Sequence, residues 1–175
     1  MGAPLVITII HGSIVDADVD VIVNAANSLG FMGGGVAGAI KRAAGQEVED
    51  DARRQGSTPV GRAVLTSGGA TKFKGIIHAP TMPVPGMRIP SANVRRATEA
   101  ALSLADERGF GSMAFPGMGT GVGGVAPGDA AREMIRAIRI FSADRLRVVV
   151  LIDVDSSMVD AWRECLEHDG QEKAT

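Results

Sequence analysis

The fold class this sequence predicts is a single α/β domain in three layers, with a mixed, mostly parallel sheet between helices. Short β-branched runs alternate with longer stretches of helical period, in the order β-β-α-α-β-β-α-β-α-β-α. Several strand candidates are continuous apolar runs rather than alternating ones, as strands covered on both faces are. At 175 residues the chain can bury a sizeable core, and 45% hydrophobic with 22% charged residues is an ordinary globular balance.

Strands are expected at Leu5–Ile10, Val19–Val23, Ala63–Ser67, Gly75–His78, Ser112–Phe115 and Arg147–Asp153. Helices are expected at Gly35–Ala44, Glu47–Gln55, Ala92–Arg108, Pro127–Phe141 and Ser156–His168. The 92–108 helix keeps Val94, Ala97, Ala101, Leu104 and Ala105 on one side at i, i+3, i+4, i+7 spacing. In the next helix Pro127 suits the first turn, Asp129 and Glu133 lie early and Arg136 and Arg139 late, which suits the dipole. Ser156 is the expected cap of the last helix. Residues 1–168 read as one domain and 169–175 as a frayed tail. The proline-studded stretch "APTMPVPGMRIP" after His78 reads either as a connection over the sheet edge or as one wall of a pocket.

Composition narrows the function. A net charge of −2 provides no broad basic field, and with no tyrosine, one tryptophan and five phenylalanines there is little base-stacking surface. Nucleic acid is therefore a disfavoured partner. The single cysteine, Cys165, excludes an internal disulfide and reads as helix packing. His11, His78 and His168 are too dispersed for a metal cluster, so no metal is expected. The opening "MGAPLVITII" lacks the pattern of a signal peptide, and its apolar run is too short to span a bilayer. A cytoplasmic location and a monomer are expected.

Two stretches carry the chemistry. In "VIVNAANSLGFMGGGVAGAIKRAAG" an apolar strand ends in asparagines, and three glycines then lead into a helix. In "SMAFPGMGTGVGGVAPGDAAREMIRAI" the same plan recurs, with Gly117, Gly119, Gly121, Gly123 and Gly124 within eight positions. Glycine costs backbone entropy, so this density suggests a backbone that wraps a ligand and offers it N–H groups. In open α/β sheets ligands bind outside the carboxyl ends of the strands, where both loops lie. Amides near helix N-termini favour phosphate, and two such loops suit a pyrophosphate held from opposite sides. Neither loop ends in Gly-Lys-Ser/Thr, which argues against nucleoside-triphosphate hydrolysis. Gly119, Gly121 and Gly124 also spell G-x-G-x-x-G, with Asp153 placed as a ribose-binding acid. That fingerprint normally opens its domain, whereas only one strand and one helix follow here.

The two loops, with "AVLTSGG" between them, resemble the macrodomain family from about Val6 to about Leu166. The resemblance implies a three-layer α/β/α fold and a cleft for ADP-ribose, free or attached to a protein or nucleic acid, with no further cofactor. Some members only bind it; others remove it from modified side chains or deacetylate O-acetyl-ADP-ribose. Residue by residue, Asn27 matches the asparagine that bonds the distal ribose and helps position a catalytic water. Gly34, Gly35 and Val36 match the segment against ribose and phosphates, and Gly33 beside them is a further expected ligand contact. Gly119, Thr120, Gly121 and Val122 match the diphosphate loop, and Ser13, Ile14, Ala25, Pro116, Gly117, Gly123 and Val154 complete the expected ligand contacts. Asn24 is expected to tie the strand end to a neighbouring loop. His78 and His11 read as satisfied core or pocket-floor histidines in preference to proton shuttles, and Asp155 as a helix cap.

The chain departs from the family at ligand-contacting positions. Ser13 stands where many members carry an aspartate for the adenine amino group, and a neutral acceptor there costs about 1–2 kcal/mol. Gly123 and Val154 replace aromatic residues. Ala37 stands where the mono-ADP-ribosyl hydrolases have the aspartate of Gly-Gly-Val-Asp, although some members with alanine there are active. The resemblance thus implies ADP-ribose binding first and hydrolysis second, with another nucleotide or an RNA end as a further alternative.

Overall fold

The computed structural model describes residues 2–172. Its strands are β1 (Val6–His11), β2 (Val21–Asn27), β3 (Val64–Thr66), β4 (Gly75–Met82), β5 (Ser112–Phe115) and β6 (Val148–Asp153). Its helices are α1 (Gly35–Ala44), α2 (Gln46–Arg54), α3 (Ser91–Glu107), α4 (Pro127–Ile140) and α5 (Ser156–Glu172), with a 3₁₀ turn at Ile14–Asp16. The element order is the predicted one.

Three boundaries differ for physical reasons. β2 and β4 run four residues beyond their expected ends, because parallel pairing carries them past polar side chains: Asn24 faces His78 and Ala25 faces Ala79. Pro80 is tolerated beside a register shift, where Ala26 pairs with Pro80 but Asn27 with Met82. The first part of the proline-studded stretch is therefore strand. α5 continues past His168 to Glu172, so of the expected tail only residues 173–175 lie outside the description. Its cap is Asp155, whose Oδ1 accepts from the Ser157 amide at 2.9 Å, and not Ser156.

The strands form one sheet in the order β1-β6-β5-β2-β4-β3, parallel except for β3 against β4. Side-chain alternation divides the core between its faces. Val21, Val23, Ile77, Met113, Phe115, Val149 and Leu151 pack with α3, α4 and α5, where Trp162 is fully buried and Cys165 packs at the margin. Ile22, Ile76, Ala114, Val150 and Ile152 pack with α1, α2 and the 3₁₀ turn through Ala37, Ile40, Val48 and Ile14. Burying each large apolar side chain contributes roughly 1.5–3 kcal/mol. The architecture is three-layer α/β/α around a mixed, mostly parallel sheet.

One feature of this topology positions a site. The neighbouring strands β2 and β5 send their helices to opposite faces: α1 joins one half of the core and α4 the other. A crevice must open where the two connections part, at the carboxyl ends of the strands.

Candidate functional site

A cleft of about 840 Å³ occupies that crevice, within the roughly 300–1,000 Å³ of small-molecule sites. One wall is the loop from β2 into α1, with Asn27, Gly33, Gly34, Gly35 and Val36 on its surface. The opposite wall is the loop from β5 towards α4, from Pro116 and Gly117 through Gly119, Thr120, Gly121, Val122 and Gly123. Ser13, Ile14 and Val154 close the β1/β6 end, and Ala25 lies on the floor. All sixteen residues expected at a ligand thus line one cleft.

The glycines of these walls fall into two classes. At Gly119 and Gly123 the fold itself demands glycine. Gly119 has φ +75°, and a Cβ there would lie 2.9 Å from Val94 Cγ2. A Cβ on Gly123 would lie 2.6 Å from the Gly119 carbonyl oxygen. The Gly123 carbonyl also accepts from the Ile89 amide at 2.9 Å, which pins the turn. The aromatic residue expected there is therefore excluded by the backbone of this loop.

Gly33, Gly34 and Gly121 are different. None has a positive φ, and a Cβ on any of them would meet nothing within 4 Å. Neither turning nor packing requires glycine at these positions, and all three line the cleft. The amides of Gly34, Gly35 and Val36 on one wall, and of Thr120, Gly121 and Val122 on the other, find no acceptor among the described residues. The first wall ends at the N-terminus of α1, where the helix dipole adds partial positive charge. Two walls of free amides suit an anion with two phosphates.

The first wall is held from beneath. Asn27 lies at the end of β2 and spends its amide on the loop: Oδ1 accepts from the Leu29 and Phe31 amides at 3.1 and 3.4 Å, and Nδ2 donates to the Phe31 carbonyl at 2.8 Å. One Nδ2 proton remains for a ligand. The buried Glu49 carboxylate accepts from the Met32 amide at 2.6 Å, from Gln46 at 2.8 Å and from Lys41 at 3.1 Å. Burial pushes the Glu49 carboxyl up, but these donors outweigh it and hold the group below its ordinary value.

His78 does not reach the cleft. It is 2% exposed, with Nδ1 3.1 Å from Asn24 Nδ2 and Nε2 2.9 Å from Thr66 Oγ1. The Thr66 hydroxyl donates to the Ser67 carbonyl, so Nε2–H donates to threonine while Nδ1 accepts from asparagine, as a neutral ring requires. Burial lowers its pKa to about 4. Asn24 therefore ties β2 to the adjacent strand rather than to a loop. His11 pins the other end of the cleft, its Nε2 3.0 Å from the Val154 carbonyl. Asp153 also braces that end, with Oδ2 accepting from the Gly117 amide at 2.8 Å and Oδ1 from the Asp155 amide at 2.9 Å.

Some lining residues escaped the sequence reading, among them Arg42, Phe31, Met82, Pro85 and Gly86. Arg42 was accessible to it, because Gly35, Ala39 and Arg42 share a helix face at i, i+4, i+7. Pro85 and Gly86 decide between the two readings of the proline-studded stretch: it walls the pocket. The ionisable side chains on the lining are Arg42, Asp153 and Asp155. Among the described residues no group of three or more histidine, cysteine or carboxylate side chains is placed to hold a metal. No helix among them is long and apolar enough to cross a membrane.

Comparison with known proteins gives a consistent result. The family model described as "Macro domain" matches residues 23–134. A protein of Aquifex aeolicus is 54% identical over 160 residues, covering 91% of this chain and 97% of its own. The O-acetyl-ADP-ribose deacetylase of Enterobacter cloacae is 36% identical over 174 residues, covering 95% of this chain and 96% of its own. Among solved structures, a mutant Oceanobacillus iheyensis macrodomain with ADPR superposes with a TM-score of 0.83 at 27% identity, over 93% of this chain and 92% of that one.

Proposed function

Because this chain belongs to the macrodomain family, we propose that its cleft binds ADP-ribose, free or attached to another molecule, with the diphosphate between the two glycine loops. The observation that carries this reading is the set of glycines that neither turn nor packing requires, Gly33, Gly34 and Gly121, beside unsatisfied amides on both walls. Charge-assisted hydrogen bonds from such amides are worth about 1.5–3 kcal/mol each. The terminal ribose lies at the β2/β4 end, within reach of the remaining Asn27 proton. The adenine lies at the β1/β6 end against Ile14 and Val154, with Ser13 as its neutral acceptor. Val154 is 71% exposed, so the base is only partly covered. Calorimetric titration of ADP-ribose into the protein tests the reading. Saturable one-to-one binding, weakened by Asn27→Ala, is expected; no heat and no thermal shift at millimolar ligand would refute it.

A second reading, hydrolysis of ADP-ribosyl esters or of O-acetyl-ADP-ribose, draws support from the similarity to the Enterobacter deacetylase. The chain brings to it a positioned asparagine, and Ala37 where the family's mono-ADP-ribosyl hydrolases carry an aspartate; the carboxylates on the lining, Asp153 and Asp155, lie at the close of β6, at the other end of the cleft. Such a base is typically worth ~10²–10⁴-fold. Turnover would then depend on substrate positioning, and its rate would show no enzyme pKa between pH 5 and 8. A bell-shaped rate profile would contradict this account.

A further inference from the structure

Of nine large apolar side chains exposed among the described residues, five belong to the segments that border the β2/β4 end of the cleft. Leu29 and Phe31 come from the first wall, and Val122 from the second. Val84 and Met87 flank Pro85 and Gly86, which line the cleft between them. They are 41 to 67% exposed. Scattered exposed apolar residues need no explanation, but concentration about one mouth marks a contact surface.

The charge of this mouth differs from that of the chain. Residues 28–33, 83–90 and 119–124 contain no carboxylate, and Arg88 is their one charged side chain, in a protein of net charge −2. The guanidinium of Arg88 lies over Gly124, and that of Arg53 stacks 4.2 Å from the centroid of the Phe31 ring. Neither arginine forms an ion pair among the described residues. These three segments thus offer aliphatic and aromatic area with one unpaired cation, Arg88, whereas Arg53 comes from α2, which also carries Glu47, Glu49, Asp50 and Asp51. The buried backbone turn at Gly123 keeps this mouth uncovered, since no side chain fits there to close it.

We infer that this mouth docks the polypeptide to which ADP-ribose is attached, and that it selects a segment with an apolar and an acidic residue beside the modified side chain. The inference rests on the binding reading above. A polypeptide fits better than a nucleic acid because most of the surface is aliphatic, whereas a phosphate backbone needs a row of cations. Arg88 meets the acidic neighbour, and Val84, Met87, Leu29 and Phe31 cover the apolar one.

The test compares four probes by calorimetry on the full chain. They are free ADP-ribose, a peptide bearing ADP-ribose through a non-hydrolysable linkage between leucine and glutamate, the same peptide with serine and lysine flanks, and an ADP-ribosylated oligonucleotide. The Leu/Glu peptide should bind about tenfold tighter than free ADP-ribose, and the Ser/Lys peptide no tighter. Arg88→Glu and Met87→Glu, both on exposed positions outside the cleft lining, should abolish the peptide's advantage while free ADP-ribose binds as before. Equal affinity for both peptides and the free ligand overturns the inference, as does a greater gain for the oligonucleotide. Variants that weaken free ADP-ribose as much as the peptide also overturn it. Failure of free ADP-ribose itself to bind removes the premise and is read separately.

Discussion

The distinction between the two classes of glycine is open to direct attack with a single methyl group. In Gly121→Ala the new Cβ meets nothing within 4 Å, and the backbone is outside the left-handed region, so the fold has no reason to object. The substitution should even stabilise by about 0.4–1 kcal/mol through the lower entropy of the unfolded chain. The methyl projects into the space assigned to the ligand and holds the phosphate off the adjacent amides. Losing one charge-assisted hydrogen bond costs about 1.5–3 kcal/mol, which weakens ADP-ribose binding by roughly ten- to a hundredfold. Gly123→Ala is the internal contrast. Its Cβ would lie 2.6 Å from a carbonyl oxygen of the same turn, so it should destabilise by about 1–3 kcal/mol. Urea unfolding reads the stability of each variant, and calorimetry its affinity. If Gly121→Ala keeps its stability and also its full affinity for ADP-ribose, the space before that glycine is not the ligand's, and the account of the cleft fails.

Further outcomes follow from the supports beneath the first wall and from the buried histidine. Asn27→Ala leaves the Leu29 and Phe31 amides and the Phe31 carbonyl without partners. It should cost about 1–2 kcal/mol and weaken ADP-ribose at least ~tenfold, whereas Asn27→Asp restores the two amide contacts and should recover stability more than affinity; equal Tm for all three proteins would contradict this. Glu49→Ala removes the anchor of Met32 and should destabilise by about 1–3 kcal/mol. Because the folded Glu49 carboxyl sits below its unfolded value, its contribution is present above about pH 4.5 and is lost as pH falls, so the wild-type-minus-variant stability gap should shrink on acidification. His78 has linkage of the same sign, in a window at higher pH. Its folded pKa of about 4 lies below the ordinary 6.5, so the unfolded chain binds the proton first and stability falls as pH drops through that window. The loss approaches about 3 kcal/mol by pH 4, and urea titrations of His78→Gln should show that part of the slope removed.

Much of this was legible in the sequence because the information was local. Continuous apolar runs marked strands with two covered faces, and glycine clusters at strand ends marked the loops of the cleft. What escaped was set by partners distant in sequence. The extension of β2 through Asn24 to Asn27 depends on β4 running alongside, and no property of "NAAN" alone calls for it. Arg42 and Asp155 were legible by spacing or by type, but Glu49 was not. A glutamate in "QEVEDDARR" looks like one more solvated charge until the loop folds back and presents the Met32 amide to it. The acidic α2 is thus partly an internal support for the ligand wall.

Gly123 shows how far the meaning of a residue lies in the backbone that carries it. Compared with the family pattern it reads as a missing aromatic ring, which a single substitution would restore. In the folded chain it is the residue that lets the turn close, with its carbonyl committed to Ile89 and no room for a Cβ beside the Gly119 carbonyl. Gly123→Phe should therefore not cover the terminal ribose. It should lower stability by about 1–3 kcal/mol or more and weaken ADP-ribose with it, because the same turn carries the amides of Thr120, Gly121 and Val122. A variant that binds more tightly at undiminished stability would show that the loop can re-form around a ring. It would also mean that the open mouth is a matter of one side chain. If the variant fails as expected, openness at this end is built into the main chain, and the exposed apolar rim beyond it is the surface left to meet whatever the ADP-ribose is attached to.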